Sequence, residues 1–376
     1  MSTGGGEVEI VVVGAGIIGL AVAAALARRG RSVLVLERRE AIARETTSRN
    51  SEVVHAGLYY PPGSLKATLC HLGREALYAR CERLRLPHRR LGKLVVATTG
   101  AEVALLERLQ SQGTENGAPG LELIDGREVA SLEPAVRALA ALRSPATGIV
   151  DAHVLATSYA AEAEAHGAVF ALRTELVGIE HAQGRFCVHV ADADDSHVTL
   201  YCVALVNAAG LASDRIAALA GIDVDARGLR LHFCKGDYFS LAAGAGLHLS
   251  RLIYPVPAQA GLGVHATLDL GGRIRFGPDT EYVPAPVYEV DASKAAAFAA
   301  AAGRYLPGLE ARWLAPDFAG VRPKLAGPGQ GFRDFAITEE SAAGLPGFVN
   351  LIGIESPGLT ASHAIAERVA VLLSGL

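Results

Sequence analysis

The chain has 376 residues, 50% of them hydrophobic and 20% charged, with a formal net charge of -4. That length accommodates two domains and a sizeable core, and the charge balance argues against a polyanionic partner such as nucleic acid. The five cysteines (Cys70, Cys81, Cys187, Cys202, Cys234) lie far apart with no CxxC pair. They read as reduced thiols in a cytoplasmic protein, not as a disulfide frame or a zinc site.

In chain order, the N-terminal MSTGGGEVEI lacks the basic region of a signal peptide. Residues 9–13 (EIVVV) form a short β-rich run, followed at once by GAGIIG and an Ala-rich helical pattern that ends at Arg28-Arg29-Gly30. A second β run, residues 32–36, ends at Glu37. Strand, glycine turn, helix, strand and acid is the context that makes a GxGxxG meaningful. Gly14 permits the tight turn, Gly16 lets the backbone approach a pyrophosphate on the helix N-terminus, and Gly19 lets the helix pack on the sheet. Glu37 stands where a carboxylate accepts from a ribose hydroxyl, and it would repel the 2′-phosphate of NADP. The plain alternative is a Gly-rich turn with no ligand. The longest apolar run, residues 16–27, is too short to span a bilayer. No transmembrane segment is expected, and peripheral contact with an inner membrane stays open.

The next stretch, TSRNSEVVHAGLYYPPGSLKA at 47–67, is crowded with groups that hold anions or move protons and carries the Pro61-Pro62-Gly63 signal of a loop. Further on, KLVVAT (93–98) reads as a strand, 101–112 as an amphipathic helix, and 155–166 as a helix ending at Gly167. Residues 186–190 and 197–203 alternate like hairpin strands. ALVNAAGLA (204–212) runs from a strand into a small-residue turn that lets a nucleotide come close. KGDYF (235–239), 252–256, 263–268 and 273–276 read as strands, and 294–305 as an Ala-rich helix. FVNLIGIESPGLT (348–360) is a strand, a Gly/Pro turn and the start of a last helix, with Thr360 and Ser362 as candidate caps. The partial positive charge at that helix start would favour an anionic group.

GAGIIG with Glu37, then TTSRNSEVVHAG, VNAAG, AGVRP and IESPGLT, resemble the FAD-dependent oxidoreductases of the D-amino-acid oxidase and glycine oxidase type. SRNSEVVHAGLYYPPGSLKA, LGKL, LIYPVP, GVHATLDLGG, FGPD and GIESPGLT are similar to its L-2-hydroxyglutarate dehydrogenase/oxidase branch. The resemblance runs from Ile10 to Leu373. It implies an α/β fold: a Rossmann-like FAD-binding domain of the glutathione-reductase type, with a second α+β substrate domain on a mixed or antiparallel sheet. The FAD domain would be discontinuous, over residues 1–85, 146–213 and 320–376, with 86–145 and 214–319 forming the substrate domain. The FAD, held non-covalently, would contact Gly14, Ala15, Gly16, Ile17, Ile18, Gly19, Glu37 and Arg38 at the first turn. Thr47, Ser48, Arg49, Asn50, Ser51, His55 and Ala56 would run along it from pyrophosphate to flavin. Leu176, Ala208, Ala209, Gly210, Gly353, Glu355, Gly358, Leu359 and Thr360 would complete the cofactor set.

Oxidising a 2-hydroxy acid requires a cation for the carboxylate and a base for the hydroxyl proton; the flavin carries the hydride chemistry. Arg322 in AGVRP is the expected carboxylate clamp, since a guanidinium holds a carboxylate bidentately. The base is expected at His265, with His55 as its rival, because an imidazole suits an alcohol proton at neutral pH. Strand alternation puts His265 and Thr267 on one face and Val264, Ala266 and Leu268 on the other. Lys66, Tyr60, Lys235, Tyr238 and Tyr254 are the remaining candidate substrate contacts; as plain structure, they are sheet packing and exposed lysines. The leading expectation is oxidation of a 2-hydroxy acid, L-2-hydroxyglutarate first. An amino-acid or secondary-amine oxidase is the alternative on the same fold, and a flavin-binding redox sensor without turnover the alternative of another class. The electron acceptor (oxygen, a quinone or a carrier) is not written in the residues.

Overall fold

Ile10–Val13 is four β-branched residues in a row, all buried, and a strand covered on both faces needs such a run. In the computed structural model, which describes residues 6–192, 196–257 and 263–375, it lies inside a six-stranded sheet. The order is Val169–Leu172, Val33–Glu37, Ile10–Val13, Ala204–Asn207, Phe348–Ile352 and Ala336–Glu339. The first five run parallel and the last antiparallel. Helix Ile17–Ala27 packs against helices Ala152–Ala165 and Gly358–Leu372. Its alanines allow that close approach, and almost the whole helix is buried. The predicted hairpin forms between Arg185–Ala191 and His197–Cys202, within a four-stranded sheet completed by Glu175–Ala182 and Gly6–Glu7.

The chain divides into two compact units. One comprises Met1–Ser48, Ala152–His232 and Arg322–Leu376; the other comprises Arg49–Asp151 and Phe233–Val321. Residues 49–85, grouped above with the nucleotide domain, cluster with the second unit, because Val53–Val54 pairs with Gly148–Val150, which in turn pairs with His88–Arg89. Residues 214–232 cluster with the first, where helix Ser213–Leu219 packs on strand Phe348–Ile352.

The second unit is built on a nine-stranded mixed sheet. Its path runs Glu281–Val283, His232–Leu241, Ile274–Gly277, His265–Leu268, Leu252–Pro255, Lys93–Ala97, Ala140–Ser144 and Glu122–Asp125, with Leu314–Lys324 pairing beside His232–Leu241. Leu94, Val96, Ile253, Ala266, Phe239 and Phe276 form its main apolar core. Asp237 is fully buried and answered by two lysines, Lys294 at 2.7 Å and Lys235 at 3.0 Å. Lys294 also holds Asp279 and Glu281, so this acidic cluster already contains its cation.

One helix was not foreseen and one sequence expectation fails. Residues 65–84, read as loop or left unassigned, form a 20-residue helix. Its buried face mixes Lys66, Arg74 and Arg80 with Leu69, Leu77 and Cys81, which hides the apolar period, and Ser64 caps it by accepting from the Ala67 amide. The last helix starts at Gly358 after Pro357, so Thr360 and Ser362 lie inside it, buried, and cap nothing.

Asp237→Ala strands Lys235 beside a lost partner and removes one of three carboxylates from Lys294. The expected cost is about 3–5 kcal/mol, read as a lower urea midpoint of unfolding.

Candidate active site

In the first unit the glycine turn is forced by contact. Gly14 has φ +101°, and a methyl there would sit 2.6 Å from the Ala208 carbonyl oxygen. A methyl on Gly19 would run into the Gly14 carbonyl. The Glu37 carboxylate accepts from the Ala15 amide at 2.9 Å and from the Arg39 amide at 2.8 Å, so it also fastens the turn to the end of the second strand. Gly16 has no side chain to cap the helix it precedes. Thr47 does this from 30 residues away, its buried hydroxyl accepting from the Ile17 amide at 3.0 Å. The remaining first-turn amides, Ile18 among them, are those a helix start offers to an anion. A cradle that only glycine fits, a capped helix start and an acid at the next strand end suit a dinucleotide.

Other predicted cofactor residues of this unit are placed as follows. Arg38 pairs with Glu45 at 2.6 Å, and the Ser48 hydroxyl donates to the Glu45 carbonyl. Leu176 is buried. Ala209 precedes the short turn that Gly210 opens with φ +54°. Gly353 has φ +71° and lies against Leu325, and Glu355 is 3.6 Å from Lys324. Leu359 and Thr360 sit in the first turn of the last helix. Arg322 is half-buried, on the strand Leu314–Lys324.

In the second unit one face of the mixed sheet carries a polar cluster. Strand register sets Tyr254 opposite His265, beside the Ile253–Ala266 pair, and their rings stack at 3.5 Å and 8°. Ala266 and Leu268 turn to the core instead, as the alternation predicts. On the neighbouring strand, Lys93 is 1% exposed. Its ammonium lies 4.6 Å from the ring centroids of both Tyr59 and Tyr254 and donates to the Tyr59 hydroxyl at 3.3 Å. Burial drives the Lys93 pKa down to about 7. His55 belongs to the same group: burial first, and the Lys93 charge second, push its pKa down to about 3. It is neutral at any working pH. Burial raises the Tyr59 and Tyr254 phenols well above their usual range.

Tyr254 and His265 therefore come together with Tyr59, from the 47–67 stretch crowded with anion-holding groups, and with Lys93, which the sequence reading passed over as a site residue; His55 feels the Lys93 charge. The available signal was a lysine opening an otherwise apolar strand, KLVVA. Lys235 and Tyr238 are engaged elsewhere, with Asp237 and, by ring stacking at 4.4 Å, with Phe318. Lys66 is buried on its helix, and the Tyr60 carbonyl accepts from Asn116. Arg49 lies over the Tyr288 ring, and its buried Nε has no hydrogen-bond partner among the described residues, an orphan donor that an anionic ligand would satisfy. Asn50 caps the Glu52 amide, Ser51 is half-buried, and the Ala56 carbonyl accepts from Arg74.

Comparison with known proteins gives these features a family. The family described as FAD dependent oxidoreductase matches residues 9–372, and the chain belongs to it. It is 39% identical to the mitochondrial L-2-hydroxyglutarate dehydrogenase of Arabidopsis thaliana, over 97% of this chain and 83% of that protein. It is 37% identical to the mitochondrial L-2-hydroxyglutarate dehydrogenase of Homo sapiens, over 72% of this chain and 60% of that protein. Among solved structures, L-alpha-glycerophosphate oxidase from Mycoplasma pneumoniae with FAD bound superposes with a TM-score of 0.87 at 26% identity, over 98% of this chain and 95% of that one. Glycine oxidase from Geobacillus kaustophilus gives 0.81 at 22% identity, over the same shares, a likeness of fold. The cofactor is FAD.

Thr47→Val removes the acceptor for the Ile17 amide. Loss of such a cap costs about 1 kcal/mol. Because the capped helix start has the glycine cradle that suits a dinucleotide, the variant is expected to release FAD more readily on dilution, followed by flavin fluorescence.

Proposed function

Given that membership, we propose that the protein oxidises a 2-hydroxy acid, with L-2-hydroxyglutarate giving 2-oxoglutarate as the leading substrate. The observation that carries this reading is the polar face of the second unit's sheet, where the buried Lys93 amine lies against Tyr59 and Tyr254 and Tyr254 stacks on His265, with the His55 imidazole kept neutral by burial and by the Lys93 charge. An alcohol must lose its hydroxyl proton as the C2 hydrogen leaves, whereas an amine bound in its neutral form needs no such acceptor. Relatives named for L-2-hydroxyglutarate support the choice of substrate. FAD, when bound, supplies the hydride acceptor.

His55 is the base in this reading. It stays in the acceptor form throughout the working range and keeps part of its surface accessible. His265, 5% exposed and stacked on Tyr254, orients that ring beside Lys93 and is the rival. Arg322 holds the carboxylate next to the reacting carbon, in the bidentate geometry that a guanidinium favours. No described helix is long and apolar enough to cross a membrane. The five cysteines are thiols, which suits the reducing cytoplasm, with peripheral membrane contact compatible.

The first experiment is anaerobic addition of L-2-hydroxyglutarate, its D-enantiomer, L-lactate, L-malate and amino acids to the yellow protein. Bleaching of the flavin band by L-2-hydroxyglutarate is expected. Bleaching by amines alone would replace this reading with an amine oxidase. His55→Ala should lower kcat by about 10²–10⁴-fold, the usual share of a general base, with smaller loss in His265→Ala.

The pH dependence has a definite sign. A base whose pKa is depressed to about 3 is deprotonated above that value. Since kcat/KM reports the free enzyme, its profile should stay flat on the acid side down to about pH 5. An acid limb near the ordinary imidazole pKa that survives in the residual activity of His55→Gln would place the base on another group and sink the assignment.

A further inference from the structure

Lys93 opens a strand whose other residues, Leu94 to Ala97, are apolar and buried. An ammonium has three protons to donate. Among the described residues, one hydrogen bond is made, the 3.3 Å contact to Tyr59. The two aromatic faces offer attraction but no lone pairs. The titratable groups around it come from three elements: His55 and Tyr59 from residues 53–60, Cys70 from the helix Leu65–Leu84, and Tyr254 from the adjacent strand. Near neutral pH all four are uncharged. Burial pushes the Cys70 thiol up to about 12, both phenols higher, and His55 down to about 3. No carboxylate pairs with Lys93 among the described residues. A buried cation with spare donors and no counter-ion destabilises the folded chain, so the arrangement makes sense when an anion completes it. His55 and Tyr59 retain accessible surface, which leaves an approach to the ammonium.

We propose that Lys93 anchors the second carboxylate of the substrate, the group that distinguishes a dicarboxylic 2-hydroxy acid from a monocarboxylic one. This rests on the 2-hydroxy acid reading, in which Arg322 takes the carboxylate beside the reacting carbon. A carboxylate oxygen accepts the unspent N–H groups of Lys93 and cancels its charge. The same charge holds down the proton affinity of His55, so a bound dicarboxylate strengthens the base as it binds.

The test is binding without turnover. Oxidised, FAD-loaded protein is titrated with glutarate and with butyrate, following the perturbation of the flavin spectrum. Wild type should bind glutarate more tightly by roughly tenfold to a hundredfold, the span of a charge-assisted hydrogen bond. Lys93→Met, which removes a buried charge and keeps the volume, should retain FAD, bind butyrate as before and lose the preference for glutarate. In turnover its KM for L-2-hydroxyglutarate should rise more than its kcat falls. A second measurement uses wild type alone. The ammonium titrates at about 7, so it is charged below that pH and lost above it. The preference for glutarate should therefore decline between pH 7 and 9, while butyrate binding does not. Retention of the preference in Lys93→Met, or a flat preference across that range in wild type, overturns the proposal. Should Lys93→Met fail to hold FAD, the wild-type profile decides. Failure of the 2-hydroxy acid reading would show separately, as absence of bleaching by any hydroxy acid while glutarate binding still depends on Lys93.

Discussion

A lysine amine buried inside a sheet face is the most demanding feature of the second unit, and its surroundings are arranged around it. Lys93 is fixed on both sides by register, parallel to Leu252 and antiparallel to Ser144. Its main chain is therefore held on both sides. Tyr254 reaches it from the same neighbouring strand and is itself stacked on His265, which the next antiparallel pairing brings opposite. Tyr59 closes over the ammonium from the segment that follows strand Val53–Val54. These groups are held mostly by strands of one rigid sheet, which gives a constellation the precision that loops lack.

The first unit answers a different constraint, the need to bring backbone close to a ligand. At the glycine turn, strand, helix and the Ala208 turn approach so tightly that side chains are excluded, and polar groups from elsewhere hold the shape. Glu37 reaches back to Ala15, and Thr47 reaches back to Ile17. Behind the turn, Asn207 donates to Asn350 at 2.8 Å and to the Ser213 carbonyl at 2.7 Å. Asn350 donates in turn to Glu340, which pairs with Arg227. This buried polar chain ties two adjacent parallel strands at the ends where the cradle is built. A fully satisfied network of this kind specifies one arrangement of strand ends.

Local rules were enough to read the nucleotide half. Glycine spacing, a β-branched run and an acid at the following strand end are short-range patterns, and each stands where the pattern put it. The alternation in GVHATL likewise separated His265 from the core-facing Ala266 and Leu268. Long-range events were not legible. That Thr47 caps a helix 30 residues earlier follows from folding, and no spacing announces it. Helix Leu65–Leu84 was invisible because its buried face carries Lys66, Arg74 and Arg80; the buried Arg74 donates to the carbonyls of Ala56 and Gly117 on other segments. Lys93 was read as the edge of a strand because a lysine at a strand start is ordinarily exposed. Lys235 looked like a site cation because its answering acid, two residues on, alternates to a position that sequence alone cannot show to be fully buried.

Burial acts in the same direction on Lys93 and His55, disfavouring the charged form of each, and the charge of the first adds to the effect on the second. In the proposed reading, His55 is thus a base that is always available and weak, because its conjugate acid is penalised twice. An anion beside Lys93 removes one of the two penalties. Affinity for a charged substrate and strength of the base then share a single electrostatic term. Contributions that share a term do not add: removal of the lysine would relieve His55 of one penalty while taking away the partner that draws the anion in. Specificity and proton transfer in such a site are two readings of the same buried charge, and neither can be assigned to one residue alone.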